Sequence, residues 1–197
     1  MNISSDKQLI ISKAVVISGL ALFVAIVLTL QHVQQPTYDY QTQMMSELAL
    51  GEYGQWMLLA FLAVASAVVA TAWIVRKLLL RQGILYLLLL AALNLAIAGI
   101  VTLSDSTDIH ALSVCLAFIF CGLSMYMIPT NVPDSYRRKY RIFSWSVLSL
   151  MIFPIALAGQ TILPIGIAQR LATMMLFVWL LGVTFDTSRF FERHKNL

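Results

Sequence analysis

Two short polar stretches contain most of the side chains that could do chemistry in this otherwise apolar chain. The first, YDYQTQMMSELALGEYGQW, covers positions 38–56 and holds carboxylates and hydroxyls but no Lys or Arg. The second, LSDSTDIH, covers positions 103–110 and ends on a histidine. Ser46, Asp105 and His110 together have the residue types of a hydrolase or of a metal site. No GxSxG or HExxH spacing accompanies them, so the pattern alone does not predict catalysis.

His110 is the sharpest single candidate in these stretches. It opens an apolar run, and a helix that starts there would disfavour a protonated imidazole through its dipole. A neutral imidazole at that position can act as a base, ligate a metal or hydrogen-bond a lipid head group. The alternative is a structural histidine whose nitrogens are satisfied inside the protein.

Ser46 and Glu47 stand out because they lie within an apolar, helix-compatible context. If residues 42–50 form a short helix at the membrane surface, its apolar side chains face lipid or the protein interior. The functional interpretation is that Glu47 folds inward against Arg170 or His110. The structural interpretation is a helix cap or a salt bridge, and the sequence leaves both open.

The composition sets the class of protein. Of 197 residues, 60% are hydrophobic and only 11% are charged, and the mean hydropathy is +0.84. These values indicate an integral membrane protein. The net charge of +4 comes from short basic clusters between apolar runs, a pattern that is typical of membrane topology and argues against a nucleic-acid surface.

Six apolar runs are long enough to cross a bilayer as helices. They cover about residues 14–30, 55–75, 84–103, 110–128, 142–162 and 170–185. No small-x-small cleavage site follows the first run, which favours a membrane helix over a secretory signal. If both termini are cytoplasmic, every Lys and Arg except Arg170 lies on the cytoplasmic side. The sequence therefore predicts one all-α bundle of six transmembrane helices over residues 1–197, with an outer re-entrant or interfacial segment at 38–54.

This topology places five of the nine acidic side chains at the outer surface. Carboxylates are costly near lipid unless they are paired or hydrated, so their concentration there indicates a polar pocket that opens outward. The predicted ligand-binding residues are Tyr38, Asp39, Ser46, Glu47, His110 and Arg170.

The two polar stretches also resemble a known family. YDYQTQMMSELALGEYGQW, followed one helix later by LSDSTDIHALSVCLAF, is similar to the domain-of-unknown-function 998 family of multi-pass membrane proteins. The resemblance implies a multi-pass fold, and it marks as family-type positions Tyr38, Asp39, Ser46, Glu47, Gly51, Gly54, Asp105 and His110. Tyr40 departs from the pattern, since the family often has proline there. The family implies no agreed activity.

The expected function is to bind or move a lipid head group or a small amphiphile in this pocket. The alternative is an intramembrane hydrolase or lipid-modifying enzyme in which His110 acts with Asp105 and Glu47, with Ser46 as a further catalytic candidate. A haem held by His32 and His110, a quinone redox protein and an assembly partner complete the options. No metal site is predicted, and the sequence leaves the cofactor unknown. Membrane lipids are the expected partners, self-association is left open, and the cell membrane is the expected location.

Overall fold

The computed structural model describes the backbone of residues 3–76 and 78–194 and the side chains of residues 7–76 and 78–187. This part of the chain is helical and contains no strand. Its long helices are α1 (Ile3–Val33), α2 (Trp56–Val75), α3 (Gly83–Ile100), α4 (Thr107–Met127), α5 (Asp134–Gly159) and α6 (Ile165–His194). Short 3₁₀ helices cover Met45–Leu50 and Ile128–Thr130. All six long helices contain a window apolar and long enough to span a membrane, which confirms the predicted fold class.

Three helices extend well beyond their predicted ends. α1 was expected over residues 14–30, α5 over 142–162 and α6 over 170–185. Apolar composition marks only the segment that fits the hydrocarbon, whereas the backbone hydrogen bonds of a helix continue into polar surroundings. Of the basic residues assigned to the cytoplasm, Lys77, Arg189, Arg193 and Lys195 lie outside the described side chains.

α2 is the central helix of the bundle and packs against α1, α3 and α6. Its buried face is rich in alanine, which allows neighbouring backbones to approach closely. The closest approach is at Gly19 of α1, where an added Cβ would lie 2.5 Å from the carbonyl oxygen of Ala63. α3 also packs on α4, and α5 packs on α6 and α4.

The alternating helix directions give the bundle two chemically different ends. We call the end with residues 34–55, 101–106, 160–164 and the first turn of α4 the acidic end, since it holds Asp39, Glu47, Glu52, Asp105 and Asp108. The opposite end, with residues 76, 78–82 and 128–133, the first turn of α1 and the last turn of α6, is the basic end.

The basic half of the bundle is tied together by buried hydrogen bonds between helices. These bonds are Thr71 to Thr184 at 3.3 Å, Tyr140 to Thr187 at 3.1 Å and Trp179 to Ser144 at 2.9 Å. Each one joins α6 to α2 or α5. Interhelical hydrogen bonds of this kind fix the position of one apolar helix against another.

Candidate functional site

Residues 34–55 form a compact layer over the acidic end, which we call the cap segment. Gln34, one residue beyond α1, is buried, and its Nε2 donates to the carbonyl oxygens of Leu48 and Glu52 at 2.9 Å each. A Cβ on Gly51 would lie 2.4 Å from the Gln34 amide, so a larger residue there would displace this amide from its present position. One amide therefore joins the beginning and the end of the cap segment.

Arg170 of α6 clamps the cap segment from the other side. Its guanidinium donates to the Tyr38 hydroxyl at 2.7 Å and to the carbonyl oxygens of Gln43 at 3.2 Å and Gly166 at 2.9 Å. With its amide oxygen turned towards the guanidinium, Gln31 accepts from Nε at 3.2 Å. Burial raises the pKa of the Tyr38 phenol, although its hydrogen bond from Arg170 acts in the opposite direction. Within the described residues, Arg170 forms no ion pair, so its role is to hold the cap segment on α6.

Gly166 makes the close approach of α6 to the cap segment possible. A Cβ at this position would lie 2.5 Å from the carbonyl oxygens of Gln41 and Gln43. The neighbouring backbone N–H of Ile167 donates to the Gln41 carbonyl oxygen at 3.3 Å. Cap segment and helix therefore meet backbone to backbone.

Glu47 serves as a cap of the 3₁₀ helix. Its Oε1 accepts from the backbone N–H of Met44 at 2.8 Å, and its Oε2 accepts from Gln43 Nε2 at 3.3 Å. Among the residues whose side chains are described, no contact joins Glu47 to Arg170 or to His110. The geometry thus favours the structural interpretation of this carboxylate.

The other two candidate carboxylates also bind nearby backbone. Asp39 accepts from the Gln41 N–H at 3.0 Å and from the Thr42 hydroxyl at 2.7 Å. Asp105 accepts from Thr102 through its N–H at 2.9 Å and its hydroxyl at 2.8 Å. Both carboxylates are exposed, and these hydrogen bonds hold the pKa of each below its usual value. Their geometry is that of turn-stabilising residues.

His110 is buried, with 2% of its surface exposed, in the first turns of α4. Its Nδ1 lies 2.9 Å from the carbonyl oxygen of Val101, while the buried Nε2 has no hydrogen-bond partner among the residues that the structure describes. The ring meets Phe61 of α2 edge to face, with centroids 5.6 Å apart. Asp105 is engaged with Thr102, so no hydrogen bond joins the two predicted partners.

A crevice with a cavity volume of about 40 Å³ lies beneath the cap segment between α1, α2, α3, α4 and α6. Its walls are mostly aliphatic and aromatic, and Ser46, Gln169 and Thr173 are its polar members. The apolar lining consists of Phe23, Met45, Met57, Phe61, Val64, Leu95, Val114, Phe118, Leu176 and Phe177. Ligand pockets typically combine such an apolar wall with a few polar groups.

The three polar side chains of the crevice differ in their hydrogen bonds. Gln169 Oε1 accepts from the backbone N–H of Met45 at 2.6 Å, which fastens α6 to the 3₁₀ helix. Ser46 and Thr173 are 3% and 9% exposed, and neither hydroxyl forms a hydrogen bond with another described residue. Among the described residues, His110 Nε2 is the one buried polar side-chain atom without a hydrogen-bond partner, so these two hydroxyl oxygens reach the open space of the crevice, where they can bind a ligand.

α4 and α6 both line the crevice but do not pack closely on each other. Val114 and Phe118 of α4 line one side, Thr173 and Phe177 of α6 line the other, and these two helices are not a packed pair. α4 meets α5 in the basic half, where Trp145 Nε1 donates to the Tyr126 carbonyl oxygen at 3.1 Å. In the acidic half, no residue of α5 lines the crevice.

The structure brings together only some of the residues that the sequence singled out. Tyr38 and Arg170 meet, and Ser46 lines the crevice, whereas Asp39, Glu47 and Asp105 bind local backbone. Gln34, Gln169 and Thr173 were missed. A Gln-Arg pair at the start of an apolar run was the available signal for Gln169.

The donor set of the crevice suits hydrogen bonding. Across the described side chains, no three His, Cys, Asp or Glu residues group closely enough to hold a metal ion. Hydroxyl and amide groups pair with neutral or anionic head groups.

Comparison with known proteins identifies the family. The family described as protein of unknown function (DUF998) matches residues 16–186, and the chain belongs to it. No curated protein and no solved structure matches the chain. The match covers all six helices and both polar stretches.

Proposed function

We propose that this member of the DUF998 family binds an amphiphile in the crevice, with its apolar chain among the aromatic side chains and its head group under the cap segment. The observation that carries the proposal is the pair of crevice hydroxyls, on Ser46 and Thr173, which lack hydrogen-bond partners among the described residues and line a mostly apolar crevice.

The contacts of these hydroxyls support a ligand. Each hydroxyl lines the crevice and has no hydrogen-bond partner among the described residues, so a head group can pair with it without breaking a hydrogen bond of the protein. Gln169 lies one helical turn from Thr173, so both point towards the same part of the crevice. Ser46 approaches from the cap segment. Three polar groups therefore converge where a head group would sit.

The apolar part of the crevice suits an acyl or alkyl chain. From Gln169 to Phe177 the lining follows α6 for eight residues, or roughly 12 Å at the rise of an α-helix. Phe61, Phe118 and Phe177 supply wide apolar surfaces along that length. The opening between α4 and α6 allows a chain to enter from the bilayer without passing through water.

The cap residues have a supporting role in this proposal. Backbone groups of the cap segment form hydrogen bonds with the side chains of Tyr38, Arg170 and Glu47. They therefore position Ser46 over the crevice. The hydrolase alternative gains no geometric support, since no described contact joins His110 to Ser46, Glu47 or Asp105.

Native mass spectrometry of the purified chain tests the proposal. We expect the wild-type protein to retain an amphiphile and Val114→Trp, which fills the crevice, to lose it. Leu112→Trp places the same side chain on the exposed face of α4 and should retain it. Wild-type protein that neither retains an amphiphile nor takes one up from added membrane lipids would contradict the proposal.

The charge distribution supports an orientation. We propose that the basic end faces the cytoplasm and the acidic end the opposite side of the cell membrane. A reporter inserted after Asp108 should then be exposed outside the cell, and one inserted after Thr130 should be cytoplasmic. A cytoplasmic signal from the first reporter would rule out this orientation.

A further inference from the structure

His110 Nε2, which has no hydrogen-bond partner among the described residues, lies next to the crevice. The side chain of Phe61 separates the two. Phe61 lines the crevice, and its ring also meets the His110 imidazole edge to face, with interplanar angle 89°. Val114 of the crevice wall follows His110 by one turn of α4. The imidazole therefore sits directly behind the wall.

The hydrogen bond at Nδ1 determines what Nε2 can do. The carbonyl oxygen of Val101 only accepts, so Nδ1, 2.9 Å away, must carry the proton. In the neutral ring Nε2 then holds a lone pair, and this atom is buried without a donor. Carboxylates do not change this arrangement, because Asp105 binds Thr102 and Asp108 is exposed. Nε2 is therefore an acceptor that lacks a donor.

We infer that Phe61 gates His110 from the crevice, and that His110 Nε2 accepts a hydrogen bond from a ligand head group with an O–H or N–H donor. This inference rests on the amphiphile binding proposed above and adds the class of head group. In this inference, rotation of the Phe61 side chain is enough to connect the crevice with His110 Nε2. A head group without a donor would leave the lone pair unpaired and would bind less tightly.

Two probes that differ in a single donor separate this inference from simple apolar binding. 1-Dodecanol has a hydroxyl group that can donate a hydrogen bond. Dodecyl methyl ether has the same dodecyl chain and an ether oxygen, but no hydrogen-bond donor. The full-length protein in lipid nanodiscs is titrated with each compound. The methyl signals of Met45 and Met57, which line the crevice, report occupancy by NMR. The ¹⁵N signals of the three histidines report hydrogen bonding at Nε2.

In the wild-type protein, both probes should shift the Met45 and Met57 signals, and the alcohol should bind about fivefold to tenfold more tightly than the ether. Only the alcohol should move the Nε2 signal of His110. His110→Asn keeps a donor for Val101 while removing Nε2, so its preference for the alcohol should fall severalfold, leaving only what the Ser46 and Thr173 hydroxyls contribute. Phe61→Leu should keep the preference for the alcohol at least as strong as in the wild type.

The possible failures are distinguishable. If neither probe moves the methionine signals, the crevice does not bind amphiphiles, and both the proposed function and this inference are wrong. If both probes bind but the His110 signal stays unchanged, or if His110→Asn retains the full preference, only the inference is wrong. A Phe61→Leu protein that loses the preference would overturn the gate. The thermal unfolding midpoint of each variant confirms that its fold is intact.

Discussion

The two ends of this bundle use buried hydroxyl groups in opposite ways. In the basic half, Thr71, Thr184, Tyr140 and Thr187 pair with one another across helix interfaces. At the acidic end, Ser46 and Thr173 are buried to a similar degree and find no partner among the described residues.

The comparison distinguishes hydroxyl groups that hold two helices together from hydroxyl groups that are free to bind a ligand. A hydroxyl pair inside an apolar bundle stabilises the contact between two helices, since the only alternative is an unsatisfied group. An unpaired hydroxyl that lines an open crevice is available to a ligand, which is the role proposed above for Ser46 and Thr173. The polar groups that drew attention in the sequence, the carboxylates, belong to neither class because they stabilise turns.

The largest effect on this comparison should come from Arg170→Met, which removes the clamp on the cap segment. We expect a loss of about 3 kcal/mol in the free energy of unfolding, because hydrogen bonds from a charged donor are strong and Tyr38 and Gln43 lose theirs. Chemical denaturation in detergent measures it. Arg141→Met makes the same change on an exposed face and should have little effect. Equal losses would show that the clamp does not stabilise the acidic end.

Gly166→Ala should cost slightly less, about 2 kcal/mol, because an added methyl group meets backbone carbonyls that cannot move freely. Gly159→Ala is the matched control, since nothing lies within 4 Å of an added Cβ there. Thermal unfolding of both variants provides the measurement. A stable Gly166→Ala protein would mean that α6 and the cap segment are not in backbone contact.

At the basic end, Tyr140→Phe should destabilise the bundle by about 1 kcal/mol, as it leaves the buried Thr187 hydroxyl without this partner. The variant should bind amphiphiles as the wild type does. Unfolding and native mass spectrometry on the same sample test both statements. Loss of the ligand would show that the two ends are not independent.

For the hydroxyls of the crevice we expect the opposite result, with little change in stability and weaker ligand binding. Ser46→Ala and Thr173→Val should change the free energy of unfolding by less than about 0.5 kcal/mol, since these groups have no partner to lose. Ligand retention should nevertheless fall. A destabilisation as large as that of Tyr140→Phe would place these hydroxyls in the structural class.

The smallest effect concerns pH. The pKa of Asp39 is held below its ordinary 3.8 by Gln41 and Thr42, so the stabilisation is complete above that value. It is lost as the pH falls through the lower pKa of the folded state. Amide signals of Gln41 and Thr42 should therefore shift on acidification, and Asp39→Asn should abolish that dependence. A persistent shift in the variant would assign the titration to another group.

The helices were predictable because long apolar runs leave a chain few options in a membrane. Their ends were not, as α5 shows: it begins at Asp134, eight residues before the predicted start at 142. The apolar composition of a segment indicates where the hydrocarbon layer of the membrane ends. A helix can continue beyond that boundary.

The site was predictable only in part. Ser46 was found from its polar stretch, and Tyr38 and Arg170 were both named as binding residues. The contacts that build the crevice, such as Gln169 to Met45, join positions 124 residues apart through backbone N–H groups. Every residue except proline has a backbone N–H, so the sequence does not indicate which one Gln169 binds. Asp105 and His110 were expected to act together because they are close in sequence, yet each binds a different backbone segment.

Photo-crosslinking inside intact membranes tests the central claim most directly. A photoreactive phenylalanine analogue replaces Phe118 or Phe177 in the crevice, and Ile119 or Val178 on the exposed faces of the same helices serve as controls. If the crevice binds an amphiphile, positions 118 and 177 should capture one species in excess of its share of the membrane. Positions 119 and 178 should capture bulk lipids in proportion to their abundance. The same lipid mixture at all four positions would contradict the proposed function.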